Sequence, residues 1–174
     1  MTFRMPREAM PADPMPPRAG YLAGPQRNTT LCRIARTPEE RRLHWNIRHA
    51  VFVDEQRVFP QTDLDAQDAR SDALLAIGYV RGVIAGAVRL YPVEPGSTLW
   101  QGDRLAVLPC YRAARLGAPL VRFAVDSARE RGGTRMVAHV QLGNIRFFQR
   151  LGWRTVGDVE SYVGMPHQQM LIDF

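Results

Sequence analysis

The 174-residue chain carries 23 basic side chains, all of them Arg, against 17 acidic ones, and its formal net charge is +6. Its apolar fraction of 45% and charged fraction of 23% are typical of a globular protein, and they exclude a collagen-like, fibrous or wholly disordered chain. This length predicts one domain. Without Lys, the chain has no Schiff-base lysine, phosphate-loop lysine or lysine general base. Cys32 and Cys110 are too few for a disulfide scaffold or a four-Cys metal site.

The charges are unevenly distributed along the chain. Residues 104–154 hold ten Arg against two acidic residues, whereas residues 54–72 hold six acidic residues against two Arg. The first segment is a candidate anion site, and the second could face a cationic partner. A coding bias that replaces Lys with Arg on a solvated surface would produce the same counts, so charge alone does not decide.

Residues 1–30 predict an extended Pro-rich arm. Six of the 13 Pro fall within the first 28 residues, where apolar periodicity is weak. Pro recurs too often for a secretory signal, and no run reaches the ~18 apolar residues of a membrane span. We therefore expect a cytoplasmic protein, away from membranes, with reduced Cys.

The domain predicted over residues 31–174 begins with a strand at 31–36. Thr37-Pro38-Glu39-Glu40 then predicts a helix start, with a hydroxyl cap, Pro in the first turn and Glu three residues after the cap. The helix is expected to bury one face at 3.6-residue spacing. That face would comprise Leu43, Ile47, Ala50 and Val51.

Three strands are predicted next, at 73–80, 83–91 and 99–108, the first two joined as a hairpin at Arg81-Gly82. Pro119 marks a helix that Gly132-Gly133 ends. A strand at 135–140, a short helix at 145–151 and strands at 154–157 and 167–172 complete the chain. This order predicts an α/β (α+β) fold, a mixed sheet with helices on both faces.

Residues 105–121 read as a strand, a tight turn rich in small residues and a helix start. Such a turn aims backbone N–H groups and the positive end of a helix dipole at one point, which suits a pyrophosphate. An ordinary loop between strand and helix is the alternative at this stage.

This stretch resembles the signature of the GNAT acyl-CoA-dependent N-acetyltransferases, with Val107, Arg112 and Gly117 at matching positions. The first signature Gly is replaced by Arg115, which we expect to swing over the phosphates. The alternative is that the site binds coenzyme A weakly. The resemblance implies acetyl-CoA as co-substrate and a mostly antiparallel sheet with splayed central strands, the pantetheine lying in the gap. The coenzyme-binding residues it implies are Ala106, Val107, Arg112, Ala113, Ala114, Arg115, Leu116, Gly117, Ala118, Gln141 and Phe148.

A second resemblance lies downstream, where a strand ending at Gln141 is followed by Phe147-Phe148 and Leu151-Gly152-Trp153. This is similar to the GNAT segment after the fifth strand. In many members the second aromatic residue is a Tyr that protonates the leaving thiolate, which Phe148 cannot do. Another group, a water, or no acid at all remain as alternatives.

Residues 47–56 and the segment Pro166-His167-Gln168-Gln169-Met170 resemble a smaller GNAT branch of bacterial acetyltransferases, and the first segment also resembles acyl-homoserine-lactone synthases. From this resemblance we predict Glu55 and His167 as catalytic residues, and Arg48, Phe52 and Glu55 as acceptor-binding residues. A carboxylate can hold or deprotonate an amine, and imidazole titrates near neutral pH. A surface Glu55 and a structural His167 are equally open.

The resulting hypothesis is an N-acetyltransferase in which an amine attacks acetyl-CoA directly within a ternary complex, with backbone N–H near Val107 polarising the carbonyl. The acceptor is expected to be a small-molecule or peptide amine, and the acidic segment suggests a cationic one. We expect no metal, because His44 and His49 lack a spaced partner, and no nucleic acid. A homodimer is an open option, since dimers are common in the family. The alternatives are a non-catalytic acyl-CoA-binding domain and an acyl-homoserine-lactone-synthase-like acyltransferase.

Overall fold

In the computed structural model, which describes residues 29–174, one seven-stranded sheet carries helices on both faces. The strands are β1 (Thr30–Ile34), β2 (Leu74–Val80), β3 (Val83–Pro92), β4 (Leu99–Val107), β5 (Arg135–Gln141), β6 (Arg154–Tyr162) and β7 (Met165–Asp173). The helices are α1 (Pro38–His49), α2 (Gly117–Arg129) and α3 (Ile145–Gln149). Apart from its last two residues, the arm predicted over residues 1–30 lies outside the described residues.

The sheet order is β1-β2-β3-β4-β5-β7-β6. All neighbours are antiparallel except β4 and β5, which are parallel and pair only where Leu99–Gln101 meets Arg135–Val137. Beyond Gln101 and Val137 the two strands separate. The expected mixed sheet with splayed central strands is confirmed.

A β-bulge in β4 accompanies the separation. Ala87 of β3 faces Ala106, but Arg89, two residues on, faces Asp103. Between these two pairs β4 therefore contains one residue more than β3. Arg104, inside the bulge, has a φ of 53°. A bulge bends its strand and increases the local twist. It therefore turns β4 away from β5 directly after their last shared pair.

The start of α1 follows the sequence pattern. The Thr37 hydroxyl accepts a hydrogen bond from the Glu40 N–H, and the Glu40 carboxylate accepts one from the Thr37 N–H, which completes a capping box. At its other end the helix continues as a π-helical segment, Ala50–Glu55. Local propensity does not predict this wider turn, which carries Phe52 and Glu55 toward the centre of the sheet.

The buried face of α1 differs from the prediction. Ile47 and Val51 are buried as expected, against Ala87 and Ala106, but Leu43 is 42% exposed. His44 and Arg48 take the buried positions, so the helix is rotated by about one residue. The prediction was wrong for Leu43 because Arg48, a charged residue, is buried against the carboxylates of Asp63 and Asp68. The residue type of Arg48 alone does not indicate these partners.

Helix α2 packs on the opposite face of the sheet, in the main core, with Leu116 and Leu120 fully buried. A Cβ placed on Gly86 would lie 2.7 Å from Leu120 Cδ1 and 2.8 Å from Leu116 Cδ2. Real side chains do not approach this closely, so β3 needs glycine here for α2 to sit at its observed depth. The start of α2 is thereby fixed beside the end of β4.

The last two strands are longer than predicted. The sequence predicted strands at 154–157 and 167–172, whereas β6 and β7 form a hairpin over Arg154–Tyr162 and Met165–Asp173. Most residues of β6 are exposed because it is an edge strand, so it lacks an alternating apolar pattern. The added length brings Tyr162 beside His167 and both into the centre of the molecule.

Candidate active site

A cavity of about 140 Å³ passes through the sheet at the gap between β4 and β5. On the α1 side its wall includes Phe52, Phe59, Arg104, His139, Tyr162 and His167. On the α2 side its wall includes Leu105, Val121, Ala124, Met136, Ala138 and Trp153. The cavity is therefore lined from both faces of the sheet, with different chemistry on each.

The turn at the open end of the gap runs from β4 through a 3₁₀ segment, Pro109–Ala114, to α2. Arg115 has a φ of 57° and a ψ of 33°, the left-handed conformation that glycine adopts without strain. This geometry explains why a Gly is usual at this signature position. The turn keeps its shape here with an Arg, and the Arg115 N–H closes it by donating to the Arg112 carbonyl at 3.0 Å.

The first turn of α2 offers free backbone donors. Its N-cap residue, Leu116, makes no side-chain capping bond, and the first helical bond runs from the Leu120 N–H to the Leu116 carbonyl. The N–H groups of Gly117 and Ala118 therefore have no capping partner in the described residues. An uncapped helix N-terminus binds anions through such groups and the helix dipole. The backbone here fits a pyrophosphate.

The side chains of the turn divide by exposure. Leu116 is fully buried and anchors the turn in the core. Ala113 and Arg115 are exposed, and Ala114 is half-buried. Arg115 forms no ion pair with any residue in 29–174, which leaves its guanidinium available beside the start of α2. Phe147 covers the turn, 3.4 Å from the position of a Cβ on Gly117.

The inner edge of β4 presents the backbone of Val107 to the gap. Leu108 donates to the Ala85 carbonyl in β3, and Ala106 pairs with Ala87. Because backbone groups alternate in direction along a strand, those of Ala106 face β3 and those of Val107 face the gap. The Val107 carbonyl already accepts from Arg112 Nε at 3.2 Å, which leaves its N–H as the donor in the cleft.

Arg112 and Glu55, assigned to different ligands by the sequence, bind each other. Arg112 Nη1 and Nη2 donate to Glu55 Oε1 and Oε2 at 2.7 and 2.6 Å. The hydrogen bonds from Arg112 lower the pKa of Glu55, so its carboxylate stays ionised. Glu55 does not line the cavity; its neighbours Phe52 and Gln56 do.

His167 lies in the cleft with one ring nitrogen committed. Its Nδ1 is 2.9 Å from the Met165 carbonyl oxygen, which can only accept, so Nδ1 carries a proton. In the neutral ring Nε2 is then a base, and it has no hydrogen-bond partner within residues 29–174. The His167 side chain is nevertheless largely buried, at 6% exposure.

Tyr162 joins the two histidines of the cleft. Its ring stacks on His139 with centroids 4.9 Å apart and meets His167 edge-on at 5.3 Å. Its hydroxyl accepts a hydrogen bond from Arg104 Nη1 at 3.4 Å. The sequence analysis missed Tyr162 because β6 carries no pattern that would place its end in the cleft.

Three more of the predicted residues meet at the cleft. Gln141 Nε2 donates to Gln56 Oε1 at 3.2 Å, which links the end of β5 to the end of the π-helical segment. Phe148 is 7% exposed and meets Trp153 edge-on at 5.3 Å, so its ring belongs to the apolar wall. Phe52 lines the opposite wall.

Arg48 lies elsewhere, which corrects its predicted place in the acceptor site. The side chain is fully buried, Nε donates to Asp63 Oδ2 at 2.6 Å, and Nη2 donates to Asp68 Oδ2 at 3.0 Å. Arg48 does not line the cavity. Its N–H donors are used in hydrogen bonds within the fold and do not face an acceptor.

The same network contains a second fully buried cation, Arg89, which donates to Asp65 at 2.6 and 2.9 Å and to Asp103 at 2.8 and 2.7 Å. Burial would raise the pKa of Asp68, but hydrogen bonds from Arg48 outweigh it and bring the pKa to about 2. Three carboxylates of the acidic segment, those of Asp63, Asp65 and Asp68, thus neutralise internal arginines. For these three residues the expectation that they face a cationic acceptor is corrected.

Within residues 29–174, no three His, Cys, Asp or Glu side chains are arranged to hold a metal ion. No helix in that range is long and apolar enough to span a membrane.

Known proteins share this architecture. Residues 30–153 match the model of the acetyltransferase (GNAT) family. An uncharacterized N-acetyltransferase of Bacillus subtilis, YjcF, is 26% identical over 141 residues, which cover 80% of this chain and 97% of YjcF. The crystal structure of Escherichia coli ElaA is similar with a TM-score of 0.72 at 20% identity, covering 82% of this chain and 99% of ElaA. An acyl-CoA N-acyltransferase from Pseudomonas aeruginosa gives a TM-score of 0.71 at 23% identity, covering 82% and 97%.

A split parallel strand pair with an uncapped helix start at its open end offers a cleft for an extended ligand and an anion site beside it. The chain belongs to the GNAT acetyltransferase family. It is accordingly an acyltransferase, and acyl-CoA is its co-substrate.

Proposed function

We propose that the domain of residues 31–174 transfers an acetyl group from acetyl-CoA to the amine of a small molecule or peptide by direct attack in a ternary complex. The observation that carries this proposal is the gap between β4 and β5. At its open end lie the free N–H groups at the start of α2, and within it lies His167 with Nε2 unpartnered.

The coenzyme lies with its pyrophosphate at the Gly117 and Ala118 N–H groups, where the helix dipole and the free charge of Arg115 both favour an anion. Gly117 has no side chain to obstruct this approach. The pantetheine follows the inner edge of β4, where the Val107 N–H faces the gap. That N–H is placed to donate to the carbonyl oxygen of the thioester as negative charge develops on it.

The acceptor amine enters from the α1 side, between Phe52, Phe59 and the aromatic rings of the β6–β7 hairpin. The nitrogen lone pair forms the new C–N bond, and the C–S bond breaks. His167 Nε2 takes the proton that the amine loses. The leaving thiolate takes a proton from water, because Phe148 has none to give, and His167 returns the amine's proton to solvent.

Glu55 acts as a positioning residue in this proposal. It fixes Arg112, whose Nε holds the Val107 carbonyl at 3.2 Å. The pair thus connects the end of α1 to the strand edge along which the coenzyme lies.

The test is release of free thiol from acetyl-CoA over a panel of primary amines, for the native protein and for His167→Gln. We expect transfer to at least one amine and a kcat lower by about 10²- to 10⁴-fold in the variant, the usual contribution of a general base. His49→Gln, an exposed histidine on α1, is the control.

Calorimetry with acetyl-CoA and coenzyme A separates the remaining interpretations. Binding without thiol release over the whole panel would identify a non-catalytic coenzyme-binding domain. Transfer only with S-adenosylmethionine as acceptor would identify an acyl-homoserine-lactone-synthase-like enzyme. Absence of coenzyme binding would refute the proposal.

A further inference from the structure

The wall of the cleft on the α2 side carries no charged side chain. Leu105, Val121, Ala124, Met136, Ala138 and Trp153 line it, and those from α2 and β5 belong to the main apolar core. The titratable groups that line the cavity lie on the α1 side: Asp103, Arg104, His139, Tyr162 and His167. The side of the cleft next to α2 is therefore an apolar chamber continuous with the reaction site.

The chamber lies at the closed end of the gap. β4 and β5 last pair at Gln101 and Val137, and Gly102 and Ala138, the next residues, already line the cavity. The start of α2 lies at the other end, beyond Val107. A thioester with its phosphates at Gly117 and Ala118 therefore points its acyl end toward the chamber.

Size and chemistry limit what this chamber can hold. An acetyl group would place only a single methyl in the chamber, whereas an apolar cavity of ~150 Å³ can hold a benzene-sized ligand of six carbons. The whole cavity, of which the chamber is one side, measures about 140 Å³. Burying each further methylene in an apolar site improves binding by about fourfold.

We propose that the α2 side of the cleft is an acyl-chain pocket, which makes unbranched acyl-CoA thioesters of about four to six carbons donors for this enzyme in addition to acetyl-CoA. This inference rests on the proposed function for the orientation of the coenzyme. It adds the class of acyl group that the site selects.

The experiment measures Kd by calorimetry for coenzyme A, acetyl-CoA, butyryl-CoA, hexanoyl-CoA and decanoyl-CoA, so it does not depend on the identity of the acceptor. We expect Kd to fall by about fourfold per methylene from acetyl to hexanoyl. Decanoyl-CoA, which is longer than the chamber, should lose this gain.

Two variants fill the chamber from different walls. Ala124→Leu adds three carbons from α2, and Ala138→Val adds two from β5. Each should reduce the ratio of acetyl-CoA Kd to hexanoyl-CoA Kd at least tenfold, the equivalent of about two methylenes. Val125→Leu, which enlarges the next residue of α2 outside this cavity, should leave the ratio unchanged. Thermal unfolding of all three confirms that they fold.

The outcomes separate the two proposals. Equal affinity for acetyl-CoA and hexanoyl-CoA, or an unchanged ratio in both filled variants, would overturn the acyl-chain pocket while leaving the proposed function intact. Failure to bind any of the thioesters, or coenzyme A itself, would instead overturn the proposed function.

Discussion

Arg112 and Glu55, 57 residues apart in the chain, form a bidentate ion pair that joins the coenzyme turn to the π-helical end of α1. Both side chains are partly exposed, at 46% and 35%. Solvent-exposed pairs contribute little to stability, so the contact matters chiefly for where it holds the Arg112 guanidinium.

Glu55→Gln tests this role directly. The amide cannot hold Arg112 as an ion, so we expect the guanidinium to become available to the phosphates and the KM for acyl-CoA to fall by about two- to fivefold. Steady-state kinetics should show kcat changed by less than about threefold, because the proposed base is His167. Glu130→Gln, at the far end of α2, serves as control. A kcat loss of ~10²-fold or more at constant KM would make Glu55 a catalytic base instead.

Two substitutions at Arg115 separate the effect of its charge on coenzyme binding from the effect of its backbone conformation on stability. Arg115→Gly and Arg115→Ala both remove the cation near the phosphates, so both should raise the Kd for coenzyme A a fewfold, by about 0.3–1 kcal/mol. Only glycine relieves the positive φ of 57°. Arg115→Gly should therefore be more stable than Arg115→Ala by ~0.5–1 kcal/mol in denaturant unfolding. Equal stabilities would show that the left-handed turn is unstrained.

Arg89 is central to the buried network. Arg89→Met keeps volume but leaves Asp65, Asp68 and Asp103 without their shared cation, so the free energy of unfolding should drop by about 3–5 kcal/mol. Urea denaturation measures the loss. The exposed Arg122→Met on α2 is the control, expected within ~0.5 kcal/mol of the native protein. If the free energy of unfolding fell as little for Arg89→Met as for Arg122→Met, the three carboxylates would have found other partners.

His44 should make stability depend on pH. Burial, reinforced by the nearby positive charge of Arg48, lowers the pKa of His44 to about 3. The unfolded chain binds this proton near pH 6.5 and the folded chain does not, so stability is complete above about pH 6.5 and decreases as pH falls toward the folded value.

The measurement for His44 is the free energy of unfolding between pH 6.5 and 5, where few carboxylates titrate. His44→Gln retains an amide able to donate to the Val88 carbonyl, which lies 3.3 Å from Nε2, but it cannot titrate. The slope should flatten in this variant. A slope that persists would assign the proton uptake to another group.

Local signals predicted most of the elements. Thr37 and Glu40 mark the start of α1 three residues apart, and Arg81-Gly82 forms the hairpin turn with both φ values positive. Such features depend on neighbouring residues, which a sequence displays directly.

The errors concern contacts between distant parts of the chain. Arg48 meets Asp63 and Asp68 across 15 and 20 residues, so two residues of a segment that reads as an acidic surface lie in the interior. For the same reason Leu43, rather than Arg48, appeared to belong to the core. Tyr162 reaches His139 through strand pairing that its own exposed strand does not signal. Its place in the site required the folded sheet.

The separation of β4 and β5 divides one sheet into two half-sheets that share only three residue pairs. Each half turns an unpaired backbone edge toward the other, inside the molecule, where no second chain can add a strand to it. A ligand that hydrogen-bonds to these edges completes the sheet and therefore stabilises the fold by mass action. In amide hydrogen exchange, coenzyme A should slow exchange most at the inner edge of β4, with Val107 as the reporter.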